Sequence, residues 1–367
     1  GVVHFLIRKW YTFKLVYTLI LHEILIFKLM KKRLEWLDAA KGYGILLVII
    51  GHIYSNGLLG WLIPGFMPLF YLAAGFTDHY CFSVDVIVTK AKRLLIPYIV
   101  YGLFAVLFYD LFGSKSSGLC IGSMHEWLGL LYSRFCLYPL GTEPNVYFLP
   151  LKASAPLWFL TSLFLGFVLY YIVFTLSQYK KRYCLGVLLC LFLTVLMNRF
   201  HILLPWSIDI AFLIAAFIFV GKGIAEFKLL NDKKFILLLC LVNLVFYVVL
   251  CKCNGGINLS VRQFGNLGSL SVLLYFLIGI SYFVFVSSAF IIAPNLITKI
   301  FAFLGRLSMR LLCIHMIFYT LFDKLFSVES IDNKFLVIIK VVLVIITAWL
   351  LEFAYKKMKL NFCIKYL

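Results

Sequence analysis

Charge is scarce in this sequence, and acidic charge scarcest: Asp and Glu together number 15 among 367 residues, and charged residues of both signs make up 13%. Soluble domains carry about 25% charged and roughly 45–50% apolar residues. With 64% hydrophobic residues, the chain cannot assemble a water-facing surface, which excludes a soluble globular fold. The strict apolar–polar alternation of a membrane β-barrel is also missing. There is no P-loop, no HExxH and no GxSxG pattern, so the sequence offers none of the phosphate-cradle, zinc-protease or nucleophile-elbow chemistries that those spacings support. The ten cysteines form no pair of pairs at zinc-site spacing. Cys184, Cys190, Cys240 and Cys313 lie singly in apolar runs, as small hydrophobes do. Cys251 and Cys253 make an isolated CxC, and no metal site is expected. Cys120 and Cys136 share one loop and could bridge on an oxidising side of a membrane.

What the sequence does contain is membrane-length apolar segments. Ten follow Lys41, at about 43–59, 61–77, 94–113, 157–175, 184–198, 203–221, 235–251, 269–293, 311–327 and 335–355. Most approach the ~20 residues needed to cross hydrocarbon. The predicted fold class is all-α: a polytopic membrane bundle of about ten helices. The net charge of +19 lies in the short connections. If the N-terminus is cytoplasmic, the cytoplasmic pieces hold 25 Lys plus Arg and the opposite side 8. That asymmetry is what the positive-inside rule predicts, so both termini are placed in the cytoplasm. The bilayer is the expected partner of this charge, and nucleic acid is not. Residues Phe13 to Met30 are apolar but broken by Lys14, His22, Glu23 and Lys28, so residues 1–32 are expected to be a basic, interfacial segment rather than a span. The division is then 1–32, a membrane domain over 33–355, and a basic cytoplasmic tail over 356–367. The longest connection, 114–156, is rich in aromatics that suit either an interfacial belt or stacking on sugar rings.

Ionisable groups inside hydrocarbon are costly and mark functional sites. His52 lies within the first apolar segment, eleven residues after Lys41. Eleven residues are three helical turns plus about 20°, so the two share a face, with His52 about 16 Å deeper. Asp38 lies one turn before Lys41. Gly42, Gly44 and Gly51 permit a neighbouring helix to approach closely. An imidazole suits proton transfer near neutral pH; a buried histidine holding helices together is the competing reading. Lys90, Lys92 and Arg93 precede the third segment, where they either bind phosphates or anchor topology. Asp209 and Glu352, charged and near lipid, are expected to pair inside the bundle.

These motifs, in this order, resemble the acyltransferase-3 family of integral membrane acyltransferases. The first segment is similar to the family's RxxWLDxxKGxxxxxVxxGH, through Arg33, Trp36, Leu37, Asp38, Lys41, Gly42, Gly51 and His52. The second reads FMPLFYLAAGF from Phe66 to Phe76; a basic pair, Lys90 and Arg93, precedes Leu94–Tyr98; Trp158-Phe159-Leu160 opens the fourth; Gly305, Ser308 and His315 fit the late GxxSxxxxxxH. Lysine replaces the common arginine at 41 and 90, and Ala74 replaces a common serine. The resemblance implies transfer of an acyl group, in the first place acetyl from acetyl-CoA, to a hydroxyl of a lipid-linked or cell-surface carbohydrate, in a bacterial inner or plasma membrane and without metal. It further implies His52 as general base or transient acyl carrier, with Asp38 orienting Lys41 or His52. Lys41, Lys90 and Arg93 would hold coenzyme A phosphates, and Trp158, Ser308 and His315 are pocket candidates. The alternative from another class is a transporter or flippase for glycan or lipid intermediates, with His52 relaying protons.

Overall fold

The fold is given by a computed structural model, which describes residues 33–53, 58–78, 83–112, 122–134, 136, 138–139, 147–148, 156–176, 183–200, 203–230, 233–326 and 334–365. Among them are eleven α-helices: α1 (Glu35–Gly51), α2 (Leu58–Phe76), α3 (Val84–Phe112), α4 (Gly122–Tyr132), α5 (Trp158–Leu176), α6 (Tyr183–Met197), α7 (Ile208–Glu226), α8 (Lys233–Asn254), α9 (Leu270–Ile292), α10 (Asn295–Phe326) and α11 (Lys334–Lys365). Two short strands, β1 (Tyr138–Pro139) and β2 (Tyr147–Phe148), pair antiparallel in the long connection between α4 and α5. The protein is thus an all-α polytopic membrane bundle. Seven helices are long and apolar enough to cross a bilayer, and shorter apolar helices cover Pro64–Phe76 and Cys184–Met197.

Each expected segment coincides with one helix, but several boundaries move. α3 begins at Val84 and α10 at Asn295, ten and sixteen residues before the apolar runs that announce them. Lys90, Lys92 and Arg93 therefore lie inside a helix rather than before it, and so do Gly305, Arg306 and Ser308. Conversely, α1 closes at Gly51, so His52 stands at the end of its helix and not in the middle. The apolar segment had been drawn through Ser55, Asn56 and Gly57, residues that favour turns over helix. At the C-terminus α11 runs on through Lys365, so the basic tail continues the last helix. Residues 1–32 lie outside the described residues, as does Cys120; Cys136 is a buried free thiol.

Burial sorts the helices. Around α7, 72% of the apolar stretch is buried, against 22% for α8 and for α11. From Ile210 to Phe219 the α7 side chains are almost wholly enclosed, and α2, α5 and α6 pack around them. α8 and α11 show rows of bare aliphatics, such as Leu237, Leu241 and Val245 on the former. Such rows are a liability in water and the ordinary outer surface of a helix in lipid. Where helices must touch backbone to backbone, glycine allows it. A Cβ at Gly42 would strike the Phe301 carbonyl, and one at Gly305 would strike the Asp38 carbonyl. α1 and α10 therefore cross in direct main-chain contact.

Candidate active site

That crossing brings two distant histidines together. His52 and His315 each lie ten residues beyond the glycine of their own helix. The helices run parallel, so equal offsets carry the two imidazoles to one level. Their ring centroids are 5.0 Å apart at 67°, edge to face. A second tie follows: the Tyr319 hydroxyl donates to the Ile49 carbonyl at 3.0 Å, occupying one of the acceptors left open where α1 ends.

Both imidazoles have a fixed tautomer. His52 Nδ1 lies 2.7 Å from the Val48 carbonyl and His315 Nδ1 lies 2.9 Å from that of Leu311. A carbonyl oxygen only accepts, so Nδ1 carries the hydrogen in each ring and Nε2 holds the lone pair when neutral. His52 keeps accessible surface and His315 has none. The His315 Nε2 is buried and has no hydrogen-bond partner among the described residues. Ser308 shares the His315 face, two turns earlier on α10 and about 10 Å away along the axis.

The basic residues gather at the other end of α1. Trp36 meets Phe76 edge-on at 5.3 Å, which sets the start of α1 beside the end of α2 and the start of α3. Asp38 is buried and its carboxylate lies 3.9 Å from Lys41 Nζ. Fourteen helical residues, about 21 Å, separate Asp38 from His52. Asp38 therefore lies beside Lys41 and well away from the imidazole, which fits the first of its two expected roles, orienting Lys41.

Lys90 also departs from expectation. Its ammonium turns inward, 2.8 Å from the carboxylate of Asp78 and 3.6 Å above the Phe167 ring. Tyr171 donates to both oxygens of the same carboxylate, at 2.8 and 3.0 Å. Asp78 is 2% exposed; a carboxylate so enclosed requires its counter-charge. Lys90 is thus held as that counter-charge, while Lys92 and Arg93 remain exposed beside it. Lys222 adds another cation, 3.9 Å from Glu226 and 5.4 Å over Phe174. Asp78, Tyr171 and Lys222 were not singled out in the sequence; the only hint was a carboxylate at the end of an apolar segment.

Trp158 is buried at the start of α5, and its neighbour Phe159 stacks on Tyr71 at 5.1 Å and meets Phe70 edge-on at 5.8 Å. Phe70 in turn lies against Gly44 of α1. The pocket candidates thus divide: His315 joins His52, and Trp158 packs in the aromatic wall behind α2.

The end opposite Lys90 holds a charge cluster that sequence reasoning recovered only in part. Asp209, fully buried at the start of α7, pairs with Arg134, from the loop after α4, and with Arg262 at 3.0 Å. Arg134 also reaches Ser207 Oγ at 3.2 Å. Burial pulls the Arg134 guanidinium below its ordinary range, and the Asp209 carboxylate opposes that pull. Four non-glycine residues with positive φ surround this ion cluster: Ser133 (52°), Trp206 (55°), Ser207 (61°) and Arg262 (60°). Nearby, burial pushes the Cys136 thiol up to about 11, keeping it neutral. Glu352 pairs with Arg310 and Lys356. Among the described residues, no group of three or more His, Cys, Asp or Glu side chains could hold a metal ion.

A family model described as an acyltransferase domain, that of the third acyltransferase family, matches residues 34–353. No curated protein and no solved structure matches the chain.

Proposed function

The chain belongs to the acyltransferase-3 family, and from that premise we propose that it moves an acetyl group from acetyl-CoA to a hydroxyl of a lipid-linked or cell-surface carbohydrate. The observation that carries this reading is the His52–His315 contact at the end of α1, with Lys41 beside Asp38 at the other end of the same helix. His52 is the reacting imidazole, through Nε2, acting as general base on the acceptor hydroxyl. Lys41 and Arg93 hold the phosphates of coenzyme A; Lys90 supports the mouth by neutralising Asp78 and does not meet the ligand. About 16 Å of helix separates Lys41 from His52, a gap that the extended pantetheine arm bridges. The bundle crosses the membrane ten times with both termini in the cytoplasm of a bacterial cell, so the donor enters from the basic face.

The test is acyl transfer by purified protein with labelled acetyl-CoA and a glycan acceptor. His52→Ala at full rate would reject the assigned base. Coenzyme A should raise the melting midpoint of the enzyme; a proton-coupled flippase would show no such rise.

A further inference from the structure

We propose that His315 is the positioning partner of His52, accepting on its Nε2 a hydrogen bond from the imidazolium that His52 becomes during acyl transfer. The inference rests on the proposed reading of His52 as general base and assigns the second imidazole a task within it.

The argument starts from an unsatisfied atom. His315 is fully buried, its Nδ1–H is committed to the Leu311 carbonyl, and its Nε2 has no donor among the described residues. A buried acceptor left without a donor is costly, and Leu, Phe or Met would fill the same volume in an apolar bundle without that cost. The ring in contact with it is the one expected to gain a proton, 5.0 Å away between centroids. Tyr319 is a further ring neighbour, 5.9 Å between centroids, but its hydroxyl hydrogen is directed to the Ile49 carbonyl. Among the described residues no donor reaches this atom at rest, and the reaction itself supplies one.

The balance is as follows. The acceptor oxygen attacks the thioester carbonyl carbon and its proton passes to His52 Nε2, which makes His52 an imidazolium. Nδ1–H of that ring is already held by Val48, so the new N–H is the one that His315 Nε2 can accept. The C–S bond then breaks, the ester forms, and the thiolate of coenzyme A takes the proton back. Both imidazoles end neutral, and no oxidant, reductant or metal enters. A hydrogen bond that exists only while His52 is charged stabilises the transition state and not the ground state.

His315→Leu, His315→Gln and His52→Ala are compared with the unaltered full chain in proteoliposomes. His315→Leu should lower kcat about 10- to 100-fold, the range for a hydrogen bond to a charged group, with KM for acetyl-CoA within about 2-fold. His315→Gln, whose amide oxygen can accept, should restore a large part of that loss. A purely structural His315 predicts that Leu and Gln behave alike, or that KM and melting midpoint change with kcat. Either result overturns the inference while leaving the reading of His52 intact. Full activity of His52→Ala would remove the reading itself.

Discussion

Gly305→Ala offers the sharpest test of how α1 and α10 present the two histidines. The added methyl would meet the Asp38 carbonyl and the Gly42 amide nitrogen, both main-chain atoms that no rotamer change can move. Optimal carbon contacts lie near 3.5–4.0 Å, so the helices must part by more than about 1 Å. Overpacking of this kind costs about 1–3 kcal/mol, and the better helix propensity of alanine returns roughly 1 kcal/mol. The net stability loss is then small, about 1 kcal/mol. Catalysis should respond far more, because a displacement of about 1 Å in the placement of reacting groups costs on the order of 100-fold. The assay is acyl transfer alongside the thermal midpoint, with Gly223→Ala as control, since nothing lies within 4 Å of a Cβ there. The expected pattern is a steep rate loss for Gly305→Ala, a midpoint shift of a few degrees, and an unaffected control. Wild-type turnover in Gly305→Ala would refute the view that this crossing sets the histidine geometry.

Asp78→Ala should destabilise by about 3–5 kcal/mol by stranding the Lys90 charge, and Asp78→Leu combined with Lys90→Met should recover most of it; chemical denaturation in detergent reads both. Asp209→Ala should cost a similar about 3–5 kcal/mol, since two guanidinium groups lose one shared carboxylate, and an unaltered unfolding midpoint would contradict the described pairing. Maleimide at pH 8 should label Cys184 and Cys253, which are exposed, and spare Cys136 until the protein is denatured; its thiol titrates only near about 11, so raising the pH from 7 to 9 should not open it to labelling. Arg93→Ala should weaken the thermal stabilisation by coenzyme A, with about a tenfold loss of affinity equal to about 1.4 kcal/mol, whereas Lys92→Ala should change it little.

Much of this architecture was legible because hydrocarbon leaves a protein few choices. A run such as Phe235 to Leu250 can only be a helix when no water is present to satisfy its backbone. Amphipathic helix ends were not legible by hydropathy. The first five turns of α10 carry Lys299, Arg306 and Arg310, which hide a helix that begins directly after Pro294. The glycines at 42 and 305 were visible, but their mutual contact was not, because nothing local tells which helix a small residue receives. The same holds for Lys90: its neighbours in sequence are basic, and its partner Asp78 comes from the preceding helix end, across a connection. Sequence spacing placed Lys41 and His52 eleven residues apart on one segment; the partnership of His52 with His315 needed the third dimension.

The equal reach from glycine to histidine on α1 and α10 works as a shared ruler. One residue inserted between Gly42 and His52 would swing the imidazole by about 100° and lift it about 1.5 Å, and the same insertion between Gly305 and His315 would do so on the other side. These two intervals must therefore keep their length for the imidazoles to meet, whatever the length of the outer connections.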